Sequence, residues 1–123
     1  MSSESYHEPL ELLSEATRNL HRAIVSLCEE LQAVDWYHQR AEASSDDELR
    51  AVITHNENEE IEHAMMNLEW IRRHSTVFEA NIKKYLGSTG SIIAVESAAR
   101  GEASAASTTP SGGLGIGSLR GSK

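Results

Sequence analysis

Residues 58–70 read NEEIEHAMMNLEW, and this stretch carries the strongest helical pattern in the chain. Apolar side chains recur around it at three- and four-residue steps, the spacing of one helix face. The stripe runs through Leu49, Val52, Asn56, Glu60, His63, Met66, Trp70 and Val77. Two of its members, Glu60 and His63, are groups that water solvates well. A helix that turns a carboxylate and an imidazole toward its packing face must neutralise or pair them, because an unpartnered buried charge costs several kcal/mol or more.

Upstream, a second periodic segment begins near Pro9, a residue suited to the first helical turn. Leu13, Ala16, Leu20, Ala23, Leu27, Glu30, Val34 and Tyr37 share its stripe. It fades at RAEASSDD, residues 40–47. There, Ser45 followed by Glu48 has the form of a capping box, and Asp46 and Asp47 favour a helix start. Lys83 and Lys84 precede Gly87, which predicts the stop of the second helix. A short connection makes the two helices antiparallel neighbours. The expected fold is therefore all-α: a two-helix hairpin over residues 7–87, with SIIAVESAAR inside 88–100 as a short third helix. Residues 101–113, GEASAASTTPSGG, have the composition of a flexible linker, and residues 114–123 bring back Leu114, Ile116 and Leu119 among glycines.

A hairpin of this size cannot bury both stripes against itself, since a core below ~80 residues is marginal. Self-association into a four-helix bundle is the simplest way to cover the remainder. The chain has 123 residues and a formal net charge of −8, with no basic patch, so nucleic acid is not an expected partner and cations are. No run reaches the ~20 apolar residues of a membrane span, and no secretory signal begins the chain. Cys28 is the single cysteine, which fits a reduced, cytosolic setting and predicts a small buried filler.

Glu30 falls on the inward stripe of the first helix, as Glu60 and His63 do on the second. A buried carboxylate is tolerated when protonated, ion-paired or bound to a metal. One glutamate from one helix and Glu-x-x-His from the next make half of a di-iron carboxylate site of the kind built in helical bundles. A two-fold axis would supply the other half. Four carboxylates balance two divalent ions, which couples metal binding to dimerisation. The oxygen-rich donor set, with one imidazole per metal and no thiolate, favours iron over zinc without excluding zinc. His55, Glu59 and Glu62 lie on a neighbouring face as a candidate second cation site or a solvated acidic face. Two other readings use the same residues: a metal-binding helical oligomer without turnover, and a coiled-coil adaptor whose polar residues set pairing register.

HEPLELL (7–13), HRAIVS (21–26), EELQAVDWYHQR (29–40) and HNENEEIEHAMMNLEWIRR (55–73) together resemble the encapsulated ferritins. The resemblance implies a helical hairpin with a short third helix, pairs that complete a four-helix ferroxidase centre, and a ring of pairs, typically a decamer. It implies that Glu30 bridges two irons, that Glu60 and His63 complete the ligands, and that Tyr37 and Trp36 flank the centre. A metal-attracting entrance site would fall on Glu29 and Gln32, where glutamine replaces the acidic pattern. His55, Glu59 and Glu62 match an outer metal site. LGIGSLRG, residues 114–121, resembles the peptide that targets cargo to an encapsulin shell. The expected function is oxidation of Fe²⁺ to Fe³⁺ for mineral storage inside such a shell.

Overall fold

A computed structural model describes residues 6–105. The expected linker from residue 106 onward and the expected shell-targeting peptide, residues 114–123, lie outside the described residues. The described elements are a short 3₁₀ turn, Leu10–Leu12, and four helices: α1 (Glu15–Ala43), α2 (Asp47–His74), α3 (Thr76–Tyr85) and α4 (Ile92–Ala105). The all-α hairpin is as the periodicity predicts. Among the described residues no helix is long and apolar enough to cross a membrane. Contacts divide the chain into two units, Met1–Glu79 and Ala80–Lys123.

The first unit is the hairpin. Pro9 starts only the 3₁₀ turn, closed by Leu12 N–H donating to the Pro9 carbonyl at 3.0 Å. Leu13 is then extended, and α1 begins after Ser14, whose Oγ accepts from Thr17 N–H at 3.1 Å. The helix therefore starts later than Pro9 suggests, because a serine cap satisfies an amide that proline cannot. Arg18 donates to the Leu10 carbonyl and ties the turn to α1. At the hairpin bend the cap is Asp46 rather than Ser45: its Oδ1 accepts from Leu49 N–H at 2.8 Å. A charged acceptor interacts better than a hydroxyl with the positive end of the helix.

α1 and α2 pack against each other along their lengths. Among the described residues the buried apolar side chains are small or compact: Ala41, Ala64 and Ile71. The expected stripe on α2 lies to one side of this seam, and Leu49, Val52 and Met66 remain 49–58% exposed. Ala16 is exposed as well, and Cys28 is exposed rather than a filler. Apolar periodicity locates a broad band on each helix; which part faces the other helix depends on where alanines allow close approach. His38 Nδ1 meets Glu57 Oε2 across the hairpin at 3.0 Å, with the Glu57 side chain only 14% exposed.

The second helix does not run on to Gly87. It breaks at Ser75, which is extended, and α3 restarts at Thr76. Ser75 Oγ accepts from Phe78 N–H at 3.2 Å, and its carbonyl accepts from Glu79 N–H at 2.9 Å. The serine thus serves as the start of α3, and the β-branched Thr76 and Val77 weaken helix continuation. Arg72 bridges the break, pairing with Glu69 at 2.8 Å and Glu79 at 3.3 Å.

In the second unit, α3 ends at Tyr85. Gly87 follows with φ +82°, a left-handed conformation that glycine adopts without strain. Gly87 is a helix stop as expected, but for α3. α4 continues through Ala105, so its end occupies residues 101–105 of the stretch whose composition suggests linker.

Two consequences can be measured. Ala64 has no exposed surface. Ala64→Leu should destabilise the metal-free protein by ~1–3 kcal/mol, read from the urea midpoint, because the seam has no room for a larger side chain. Hydrogen bonds from Arg72 and then Arg73 hold the Glu69 carboxyl down from 4.5 to about 2. A depressed carboxyl contributes stability above its unfolded value, and loses it as pH falls toward the folded value. Glu69→Gln should therefore flatten the acid dependence of the melting temperature between about pH 4.5 and about pH 2.

Candidate metal centre

On α2, Glu60 and His63 stand one turn apart and project together, as the i, i+3 spacing requires. The antiparallel pairing places Glu30 of α1 opposite them. His63 Nδ1 lies 3.3 Å from Glu60 Oε1 and 3.7 Å from Glu30 Oε1. One ligand atom from each of the three falls within 4.8 Å of the others, and among the described residues this is the one group of three or more metal-ligating side chains so gathered. The side chains are partly covered: 26% exposed for Glu30, 25% for Glu60 and 42% for His63.

The electrostatics show how two carboxylates share this space. A hydrogen bond with Glu60 raises the Glu30 carboxyl above its ordinary range, with burial and the Glu60 charge acting the same way. The same bond lowers Glu60, assisted by His63. Two carboxyls in contact thus titrate apart, Glu30 more readily protonated and Glu60 less so. Glu29 adds a further small repulsion on Glu30. A divalent cation held between them would relieve their repulsion, in competition with protons. Two carboxylate oxygens and an imidazole nitrogen suit a hard or borderline ion. Three side chains from one chain leave further coordination positions open.

The other sequence-predicted residues are placed around this group. Tyr37 lies two turns beyond Glu30 on α1, half-buried, with the Arg40 guanidinium 5.5 Å from its ring centre. Trp36 is 49% exposed. Glu29 and Gln32 are both exposed. His55 and Glu59 form an exposed pair at 3.8 Å. Glu62 instead lines a surface groove of about 450 Å³ with Met65, Met66 and Trp70. One link was not read from the sequence: Glu59 also approaches His63, at 4.0 Å. The four-residue spacing of His55, Glu59 and His63 was the available signal. The His38–Glu57 pair was likewise missed, since nothing local marks residues 19 positions apart as neighbours.

The chain matches the EncFtn-like family over residues 5–89. A Rhodospirillum rubrum protein named encapsulated ferritin-like protein is 51% identical over 127 residues, covering 98% of this chain and 91% of its own length. A Thermotoga maritima ferritin-like protein is 40% identical over 114 residues, covering 93% of this chain and 96% of its own. Among solved structures, that of a Nitrosomonas europaea protein aligns with a TM-score of 0.69 and 52% identity, covering 72% of this chain and 97% of its own.

If the three side chains hold a cation, the double substitution Glu60→Ala, His63→Ala should abolish tight Co²⁺ binding measured by calorimetry. The wild-type affinity should fall as pH is lowered through the raised titration range of Glu30, since protons and cation compete for that carboxylate. Glu30→Gln should bind more weakly and lose most of that pH dependence.

Proposed function

The chain belongs to the EncFtn-like family, whose ferritin-like character points to iron handling, and from that premise we propose that it is a ferroxidase built from two copies of the hairpin. The observation that carries the reading is the approach of Glu30, Glu60 and His63 to within 4.8 Å. Each chain supplies two carboxylates and one imidazole, and a two-fold mate supplies the same again. Four carboxylates then match the charge of two Fe²⁺ ions, the substrate. Glu30 bridges the ions, and Glu60 and His63 complete the ligands contributed by each chain. Tyr37 and Trp36 flank the pair.

Support for a second copy comes from what the hairpin leaves uncovered. Leu49, Val52 and Met66 lie on the same side of α2 as His63 by helical spacing and are about half exposed. Among the described residues only three apolar side chains are buried, so the hairpin has apolar surface to cover, and self-pairing covers it while bringing two half-sites together. Ferrous ions draw the pair together by cancelling the carboxylate repulsion. Each Fe²⁺ gives one electron to dioxygen or peroxide, and the added positive charge is stabilised by the anionic oxygen donors. Fe³⁺ then leaves for mineral storage. Glu29, with Gln32 nearby, forms a weakened entrance site, because glutamine contributes no charge.

The domain plan follows the same reading: residues 7–87 form the catalytic body, and pairs assemble further into a ring, a decamer. The R. rubrum relative is named as encapsulated. We extend that association to this chain through Leu114, Ile116 and Leu119, whose glycine-rich setting suits an extended peptide lying in shallow apolar pockets of an encapsulin shell. Storage then takes place inside that compartment.

Anaerobic Fe²⁺ loading followed by air should give Fe³⁺ absorbance faster than buffer alone, and native mass spectrometry should show Fe²⁺ driving association. Iron that binds without oxidising would leave a non-catalytic metal-binding oligomer as the answer. Deleting Leu114–Lys123 should abolish encapsulation on co-expression with the shell protein while leaving oxidation intact.

A further inference from the structure

His38 of α1 and Glu57 of α2 meet across the hairpin, with Nδ1 3.0 Å from Oε2. A carboxylate only accepts hydrogen bonds, so His38 Nδ1 carries the proton that joins them. The Glu57 side chain is well covered and His38 is exposed. A covered carboxylate that loses its donor is costly, so the contact favours the one apposition of the helices in which it forms. Arg50 lines the same groove, but its guanidinium donates to the Ser44 carbonyl.

The apolar packing on this side of the centre leaves register to be set by something else. Ala41, three residues after His38, and Ala64 are buried. Alanines allow close approach but offer no projecting side chain for the facing helix to hold. Ile71, the bulky member of the buried set, lies beyond His63, whereas Glu57 lies one turn before Glu60. Slip by one residue moves a side chain about 1.5 Å along its helix axis. Glu30 and His63 are 3.7 Å apart, so such a slip disperses the three ligand candidates. A polar contact in an apolar seam is a well-attested way for helices to specify register. Resting on the reading of Glu30, Glu60 and His63 as a cation centre, we propose that the His38–Glu57 pair is a register lock. It positions Glu30 against Glu60 and His63, and neither of its members touches the cation.

Co²⁺ titration of the full-length protein tests this, read by calorimetry and by the visible absorption of the bound ion, with helicity checked by circular dichroism. The centre is the tight class of Co²⁺ that wild type binds and the Glu60→Ala, His63→Ala variant lacks. His38→Ala and Glu57→Ala should each weaken that class about tenfold and shift its absorption bands, because the donors no longer converge. The double variant should lose no more than either single one, since the two residues act as one contact. Glu57→Gln keeps an oxygen for the His38 N–H and should return affinity and bands close to wild type. If Glu57→Ala loses helicity, the exposed His38→Ala carries the comparison with Glu57→Gln. Single variants with wild-type affinity and bands overturn the lock and leave the centre standing. Losses that add in the double variant, or a folded Glu57→Gln as weak as the alanine variants, overturn it too. Equal Co²⁺ binding by wild type and Glu60→Ala, His63→Ala removes the centre itself, and the role of the pair with it.

Discussion

The close antiparallel contact of α1 and α2 is the constraint on which the site depends. Ala41, Ala64 and Ile71 are buried, and small side chains let the two helices approach. That approach sets the Glu30 carboxylate against Glu60 and His63. Two carboxyls that share a hydrogen bond shift one another's titration. Here Glu30 is raised and Glu60 lowered. The chemistry of the centre is thus a consequence of helix packing, since neither helix carries the full set.

The hairpin's incompleteness has the same origin. An isolated pair of helices can bury one strip of each helix, and here each helix carries an apolar band wider than one strip. On α2 the band includes Leu49, Val52 and Met66, which stay exposed beside the residues that face α1. This surplus apolar surface lies on the same side of α2 as His63, and it is what the proposed pairing with a second copy would cover. At the other end of α2, Ser75 interrupts the helix and the Glu69–Arg72–Glu79 ion pairs span the interruption.

Much of this was legible in the residues. Helix type, the hairpin and the three ligand candidates follow from spacing, because a period near 3.6 is a local property of the chain. Boundaries were less so. Pro9, Ser45 and the stretch through Ser75 each carried a signal satisfied more than one way, and the outcome turned on which side chain met which free amide: Ser14, Asp46 and Ser75 won. Cys28 misled for a related reason. It is one position past Leu27, and a residue's type says less about burial than its angle around the helix.

What the sequence determined by itself is the periodicity, and with it two amphipathic helices, the spacing of Glu60 and His63, and the family pattern. What only the tertiary structure decided is which face of each helix meets the other. That choice placed Glu30 within 3.7 Å of His63, joined His38 to Glu57, and turned Glu59 toward the far side of the same imidazole that faces the centre. Local pattern specifies a direction around one helix axis. Distances between side chains on two helices depend on the rotation and separation of both, and those are set by how the seam packs.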